Sequence, residues 1–433
     1  MAAVPVFEEQ TGGAAAVMMA GLAGLELNEP ALAQFEGLAN LKGLVQTSRS
    51  RRLSVYPASA GFEMAEELEY LSWRAIEPNI FFNPRFLAPA MPRLEDREIR
   101  FITVRDENDD MSRLRFLMPF SVERSGLGLG PQVLRAWSSP FAPLGTPLLD
   151  RDDPVGVLED VLDILGRKHL KLPDVLVIPD IAEGGPVANA LHTAAIGRNL
   201  SITAINQRLR PMLAYGEDPD EYFKTAMSSS HRRGFKSRLK KLQTEGAVTF
   251  NEARDPVDVR RRTEEFLALE ARGWKGRDRT AMSIDRYRAA FAREALYKLA
   301  ERDMCRVHTL DLNGKAIASL IVLRESGTAY TWKTAYNEDY AKYSPGTLLM
   351  MDTTKLLLDD PNIMRTDSLS VPDHPVMSRL WKERQSLVTL VIGLAPGSDR
   401  TVRQAASQIQ LHKKTQNVAR TMRDRLRALT GRS

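Results

Sequence analysis

Residues 304–336 read MCRVHTLDLNGKAIASLIVLRESGTAYTWKTAY, residues 337–347 NEDYAKYSPGT, and residues 348–371 LLMMDTTKLLLDDPNIMRTDSLSV. Asn313-Gly314 stands between two apolar, β-branched runs. This is the strongest short hairpin signal, because a type I′ turn needs positive φ at both central residues. A second turn at Glu325-Ser326-Gly327-Thr328 leads into a third strand, Ala329 to Tyr336. After a loop, Ser344 is placed to cap a helix, Pro345 suits its first position, and Gly346 leaves the backbone open to close approach. Met350, Met351, Thr354, Leu357 and Leu358 recur at helical spacing, and a last strand is expected over Ile363 to Val371. A helix start just beyond a strand turns free N–H groups and its positive dipole end outward, which makes an anion site.

Strand, strand, strand, anion-binding helix, strand resembles the core order of the GNAT-type acyl-CoA N-acyltransferases. The wording NGKAIAS and AYTWKTAYNEDYAKYSPGTLLM, with SHRRGFKSRLKKL and FLALEARGWKG upstream, is similar to the CelD-like (cellulose-biosynthesis-associated) branch of that superfamily. The similarity runs over residues 220–394. It implies acetyl-CoA or another acyl-CoA as co-substrate, its diphosphate on the helix start and its pantetheine arm between two parting strands. Lys342, Tyr343, Ser344, Gly346 and Thr347 are then the candidate cofactor contacts. In that family the first strand and helix wall the acceptor pocket, which would set Glu270, Trp274 and Lys275 against a substrate amine. The alternative is a core or C-cap role for Trp274 and a surface acid at Glu270.

Acyl transfer to an amine needs a group to take the proton from an ammonium, and a donor to the leaving thiolate helps. Asp367 lies on the strand MRTDSLSV, and Pro372-Asp373-His374-Pro375 follows at once. Histidine titrates near neutrality, and His374 has the best context of the six: a strand end, two prolines, and Asp373 to orient it. It is a candidate base or substrate ligand, against a structural loop histidine. CelD-like proteins often show a Gly-acid-x-x-Tyr-Lys pattern here ahead of a tryptophan; this chain keeps Trp381 but reads PDHPVMSRLW. Asp367 and Trp381 join the candidate substrate contacts. Tyr336 and Tyr343 flank the cofactor loop as possible proton donors or packing residues. His308, in mid-strand, reads as a satisfied strand residue. The histidines are dispersed, so no catalytic metal is expected.

The chain has 433 residues, 43% hydrophobic and 27% charged, a globular composition with room for two or three domains. Its single cysteine, Cys305, excludes an internal disulfide framework and fits a packing role better than a reactive thiol. The charge is uneven. Residues 399–433 carry nine Arg or Lys against two Asp, a net of +7, and the rest of the chain sums to −2. The basic character therefore describes a tail, not a nucleic-acid-binding body.

Four segments are expected: a disordered stretch over 1–52, a degenerate GNAT-like domain over 53–215, the GNAT acyltransferase domain over 216–396, and a basic helical tail over 397–433. The fold class is thus α/β, two GNAT-like mixed-sheet domains in tandem. Residues 14–25 are apolar but too short to span a bilayer, and Glu8 and Glu9 precede them where a secretory signal would be basic. A cytoplasmic protein, at most peripheral to a membrane, is expected. FFNPRFLAPAM reads as a Pro-broken aromatic segment, and Gly126-Leu-Gly-Leu-Gly130 as a plain turn. Asp218-Pro219-Asp220-Glu221 opens a helix running through Leu242. Between Arg232 and Lys241 that helix carries six basic residues with Phe235 as its only aromatic. This suits a solvated face or a positive rim for an anion better than RNA stacking. The terminal helix has three readings: docking on the body, an anionic membrane surface, or nucleic acid.

The function these features imply is acyl-CoA-dependent transfer, most simply of acetyl, to an amine of a sugar, a polysaccharide precursor or a small metabolite. Fem-type aminoacyl-tRNA-dependent transfer is the alternative on the same fold. A non-catalytic scaffold in polysaccharide synthesis is the alternative outside it.

Overall fold

The structure is a computed structural model, which describes residues 3–11, 50–108, 111–126 and 128–429. The first half runs β1 (Phe7–Thr11), β2 (Ser50–Pro57), α1 (Ala65–Arg74), α2 (Pro84–Leu94), β3 (Arg100–Asn108), β4 (Met111–Arg124), β5 (Gln132–Ala136), β6 (Leu148–Leu149), α3 (Pro154–Leu165), β7 (Val175–Ala182), α4 (Pro186–Gly197) and β8 (Ile202–Ala214). The second runs α5 (Pro219–Ala226), α6 (Ser229–Gln243), β9 (Val248–Ala253), α7 (Pro256–Arg272), α8 (Trp274–Arg277), α9 (Arg286–Ala300), β10 (Cys305–Leu312), β11 (Lys315–Glu325), β12 (Thr328–Tyr336), α10 (Pro345–Asp359), β13 (Arg365–Asp367), α11 (Met377–Leu380) and β14 (Glu383–Gly393). The helix α12 (Asp399–Leu429) follows.

The strands form one mixed sheet in the order β1-β2-β3-β4-β5-β7-β14-β8-β13-β12-β11-β10-β9, with β6 beside β4. Its two parallel pairs, β5 with β7 and β12 with β13, disclose a duplication that no residue pattern reveals. Each half lays down antiparallel strands, then crosses through one helix (α3 or α10) to a parallel neighbour, as a parallel connection requires. The halves are welded rather than strung: β14 lies between β7 and β8, and β8 also pairs with β13. One apolar cluster joins Phe81, Phe86 and Phe101 of the first half to Phe266, Phe291 and Trp332 of the second.

Local signals set the second half. Asn313 and Gly314 have φ of 51° and 76°, Ser326 and Gly327 of 44° and 76°, so both hairpins close with two left-handed residues. Elsewhere tertiary packing overrode the local reading. The proline-rich segment is a helix, α2, because Asn83 caps the Arg85 amide and Pro84 fits the first turn, while Phe86, Leu87 and Met91 are buried despite Pro89 and Pro92. The helix from Asp218 breaks in two, since Ser228 caps a fresh start on the His231 amide. Within the stretch expected to lack structure, Phe7–Thr11 is an edge strand on β2, tied down by Glu8 to Arg52 (3.1 Å) and Glu9 to Arg167 (2.5 Å). Residues 50–52 of that expectation already belong to β2, and residues 1–2 and 12–49 lie outside the described residues.

The first turns of α12 dock. Val402, Ala405, Ala406 and Ile409 pack on Val133, Val175, Val177, Ile205 and Val391, while Leu411, Val418 and Met422 are exposed further along. Among the described residues no helix is long and apolar enough to cross a membrane.

Candidate active site

The strands β12 and β13 pair at three positions, Thr328 with Arg365, Ala329 with Thr366 and Tyr330 with Asp367. There β13 ends, sooner than the expected run to Val371, because Leu369 turns into the left-handed region at φ 50°. β12 runs on to Tyr336 with a neighbour only in β11. The two strands therefore part, and a cleft of about 570 Å³ opens in the gap. Along the same stretch β12 slips by one residue against β11, with Thr331 facing Val322 and Lys333 facing Ile321, so Trp332 is a bulge. The bulge reverses the alternation. Tyr330, Trp332 and Ala335 all belong to the cluster under α7 and α9, which puts Lys333 on that side and turns Tyr336 toward α10.

At the mouth of the cleft α10 begins. Ser344 is left-handed at φ 55°; its side chain caps nothing, and its carbonyl receives the Thr347 and Leu348 amides at 3.0 and 3.1 Å. Pro345 has no N–H, no acid stands in the first turn, and at Gly346 a Cβ would meet only the Tyr336 ring, at 3.5 Å. Ser344, Gly346, Thr347 and Tyr336 all line the cleft. Lys342 and Tyr343 do not: Tyr343 is buried with its hydroxyl on Glu245, and Lys342 lies exposed over the Tyr343 ring at 4.8 Å.

The opposite wall is α7 and α8. Glu270 is buried, accepting from Lys275 Nζ at 2.9 Å and from the Met282 amide at 2.8 Å. Lys275 also donates to the Thr334 carbonyl at 2.9 Å, tying this wall to β12. Trp274 borders the cleft half-exposed, its amide held by Glu338 at 2.6 Å. Gly276 is obligatory, since a Cβ there would fall 1.8 Å from the Ala271 carbonyl oxygen.

His374 lines the cleft, but its Nδ1 accepts the Val376 and Met377 amides at 3.3 and 3.2 Å, capping α11. The proton of the neutral ring is thereby fixed on Nε2, leaving no free lone pair to act as a base, and burial lowers its pKa. Asp373 is exposed at φ 58° and makes no hydrogen bond to His374. His374→Ala is expected to cost about 1 kcal/mol as a lost cap and to change kcat less than about tenfold. A drop beyond a hundredfold, with a displaced limb in the pH profile, would return His374 to proton transfer. Asp367 is turned away, paired with Arg210 at 2.9 Å and capping the Leu369 amide. Trp381 is fully buried, its indole N–H on Thr354 Oγ1 at 3.0 Å, and touches no ligand space. His308 is buried 3.9 Å from Glu252 and pushed down to about 4 by burial; Cys305 is buried with its thiol pushed up.

Sequence reasoning missed Lys333. It enters the cleft beside the Phe141 ring, 4.4 Å from its centre, and burial, reinforced by the nearby Lys275, lowers its pKa to about 8. A lysine alone among apolar strand residues, in AYTWKTAY, was the available signal.

The first half repeats the helix start without the opening. Asp153 is left-handed at φ 53° before Pro154, as Ser344 is before Pro345. Its carboxylate, however, caps the Gly156 amide and pairs with Arg51 at 2.5 Å, so an acid already occupies the anion position.

Residues 229–368 match the family model of the acetyltransferase (GNAT) domain, a span that holds α10 and both parting strands. Over these residues the chain is similar to a GNAT domain. No curated protein matches the chain. Among solved structures, FemX has a TM-score of 0.51 at 8% identity, over 77% of this chain and 96% of that one. The C-terminal domain of a putative lysylphosphatidylglycerol synthetase from Agrobacterium fabrum gives 0.48 at 8%, over 79% and 95%. A tandem GNAT protein from the clavulanic acid biosynthesis pathway gives 0.38 at 11%, over 80% and 99%. The FemX likeness is one of fold; the strand order of the first half repeats that of the second, and the second holds both the residues that match the GNAT model and the open cleft.

Proposed function

We propose that the protein is an acyl-CoA-dependent N-acyltransferase, moving an acyl group, most simply acetyl, to the amine of a sugar, a polysaccharide precursor or a small metabolite. One observation carries the reading: β12 and β13 part immediately beyond Tyr330 and Asp367, and the bare helix start at Ser344–Thr347 stands at the opening. The acyl-CoA would supply the activated thioester. Ser344, Gly346 and Thr347 would hold its diphosphate, the dipole of α10 favouring negative charge there. The edge of β12 left unpaired beyond Tyr330 offers backbone N–H groups to a developing oxyanion. Trp274 and the Glu270–Lys275 pair border the space for an amine. Lys333, neutral in a useful fraction near pH 8, would take the proton from the acceptor ammonium.

The test is thermal stability of the full chain with acetyl-CoA and with longer-chain thioesters. Saturating ligand at about a hundred times Kd stabilises by about 2.7 kcal/mol, which raises Tm by several degrees. The second reading, aminoacyl-tRNA-dependent transfer, is favoured by α6. Its Arg233, Lys236, Arg238, Lys240 and Lys241 are exposed and hold no salt bridge among the described residues. Stabilisation by charged tRNA without any by thioesters would select it, and stabilisation by neither would leave a scaffold.

A further inference from the structure

Beyond its docked turns, α12 and the sheet border a partly open polar cavity of about 300 Å³. Arg135 of β5, Asp180 of β7, Asn206 of β8, and His412 and Lys413 of α12 face it, with Ser125 from the end of β4. We propose that this cavity binds a phosphate group, as the inorganic ion or as a small phosphomonoester, and so clamps the terminal helix to the body.

The charges argue for it. Arg97 is neutralised by Glu95 at 2.7 Å. Among the described residues Arg135 has one partner, Glu123 at 3.3 Å, which Glu123 divides with Arg97, also at 3.3 Å. Arg208 pairs with Asp180 at 2.8 Å, and Arg210 is held by Asp367 at 2.9 Å. Lys413 has no hydrogen bond or salt bridge among the described residues, and Asp180 is the carboxylate that most favours its charge. Arg208 lies outside the lining and takes up the charge of Asp180, so Arg135 and Lys413 face the cavity with Glu123, a carboxylate already shared with Arg97. Burial disfavours the charge on both, so an anion between them would be held strongly.

Unused hydrogen-bonding groups argue independently. Ser125, a lining residue, is 2% exposed, and its Oγ is buried without a partner. The Nδ1 atom of His412, another lining residue, is likewise buried and unpartnered. Buried polar atoms are rarely left so. The cavity would hold about ten waters at about 30 Å³ each, more than a bare ion needs and enough for a phosphate ester of a small alcohol. Phosphate presents several acceptor oxygens and up to two negative charges, which suits a cationic site carrying spare donors.

The test is thermal stability of the full chain in inorganic phosphate, in glycerol phosphate, and in potassium chloride at equal ionic strength. Phosphate is expected to raise Tm saturably, and Lys413→Met and Arg135→Gln to weaken that response at least tenfold in concentration. Lys414→Met, an exposed neighbour, is expected to keep it. Gly346→Glu is also expected to keep it, which separates this cavity from the cleft at α10. Saturation at a lower concentration by glycerol phosphate identifies an ester as the ligand; the reverse identifies the free ion. Should Arg135→Gln fail to fold, Lys413→Met decides, since that ammonium bonds nothing among the described residues. No response, or one equal in wild type and Lys413→Met, means that the cavity holds water only and overturns the proposal.

Discussion

Gly346→Glu is expected to abolish stabilisation by acetyl-CoA while leaving the protein folded. The position tolerates a side chain: a Cβ would sit in ordinary contact with Tyr336, at 3.5 Å, and no positive φ is demanded there. A carboxylate in the first turn of a helix also interacts favourably with the dipole, so Tm without ligand should hold or rise. The same charge would stand against the diphosphate. One pair of like charges at about 4 Å, at an effective dielectric near 20, repels by about 4 kcal/mol, roughly a thousandfold in Kd. Gly346→Ala, which adds bulk without charge, should lose far less. A titration in which Gly346→Glu binds acetyl-CoA within tenfold of wild type would remove the helix start from the cofactor site, and the acyl-CoA assignment with it.

How far the sequence alone reaches depends on how local the cause is. The turns at Asn313-Gly314 and Ser326-Gly327 and the start at Pro345 are decided by two or three adjacent residues, and they lie where the pattern placed them. Ser344, Gly346, Thr347, Tyr336, Glu270, Trp274, Lys275 and His374 do share one cleft. Periodicity says that a side chain is apolar and regularly spaced, not which side of a wall it faces. It therefore could not tell that Tyr343 and Trp381 point into the core. Nor could it show that Nδ1 of His374 is engaged by amides two and three residues on. The insertion of β14 between β7 and β8 is a pairing over about two hundred residues of chain, set by which edges remain open, and leaves no mark in either segment. The helix at Pro84–Leu94 held because an aromatic cluster from both halves closes over it.

Lys333 is the sharpest case, and its replacement is the second large effect expected. Strict alternation along β12 would set it on the face opposite Trp332. The slip at Trp332 brings it to the same side, over Phe141 and across from the Glu270–Lys275 pair. Burial and the nearby cations favour its neutral form, with a pKa of about 8 against an ordinary 10.5. Lys333→Met should lower kcat by a factor of 10² to 10⁴, roughly the range for loss of a positioned base. It should also erase the rising limb of the rate near pH 8, while Kd for acetyl-CoA stays within a fewfold. Stability should move the other way. Because the folded-state pKa is depressed, the folded protein bears the cost of a partly buried ammonium at every pH below about 8. That cost is lost as pH rises from about 8 to 10.5, where the unfolded chain still binds the proton and the folded one does not. Lys333→Met should thus be more stable than wild type near neutrality, by at most about 3 kcal/mol, and lose the advantage toward pH 10.5. Increased stability with unimpaired turnover would make Lys333 a structural lysine and leave the acceptor proton to solvent. Lost turnover with the pH limb intact would make it a positioning residue. Only the two together, a stabilised protein that no longer responds to pH in this range, assign it the proton.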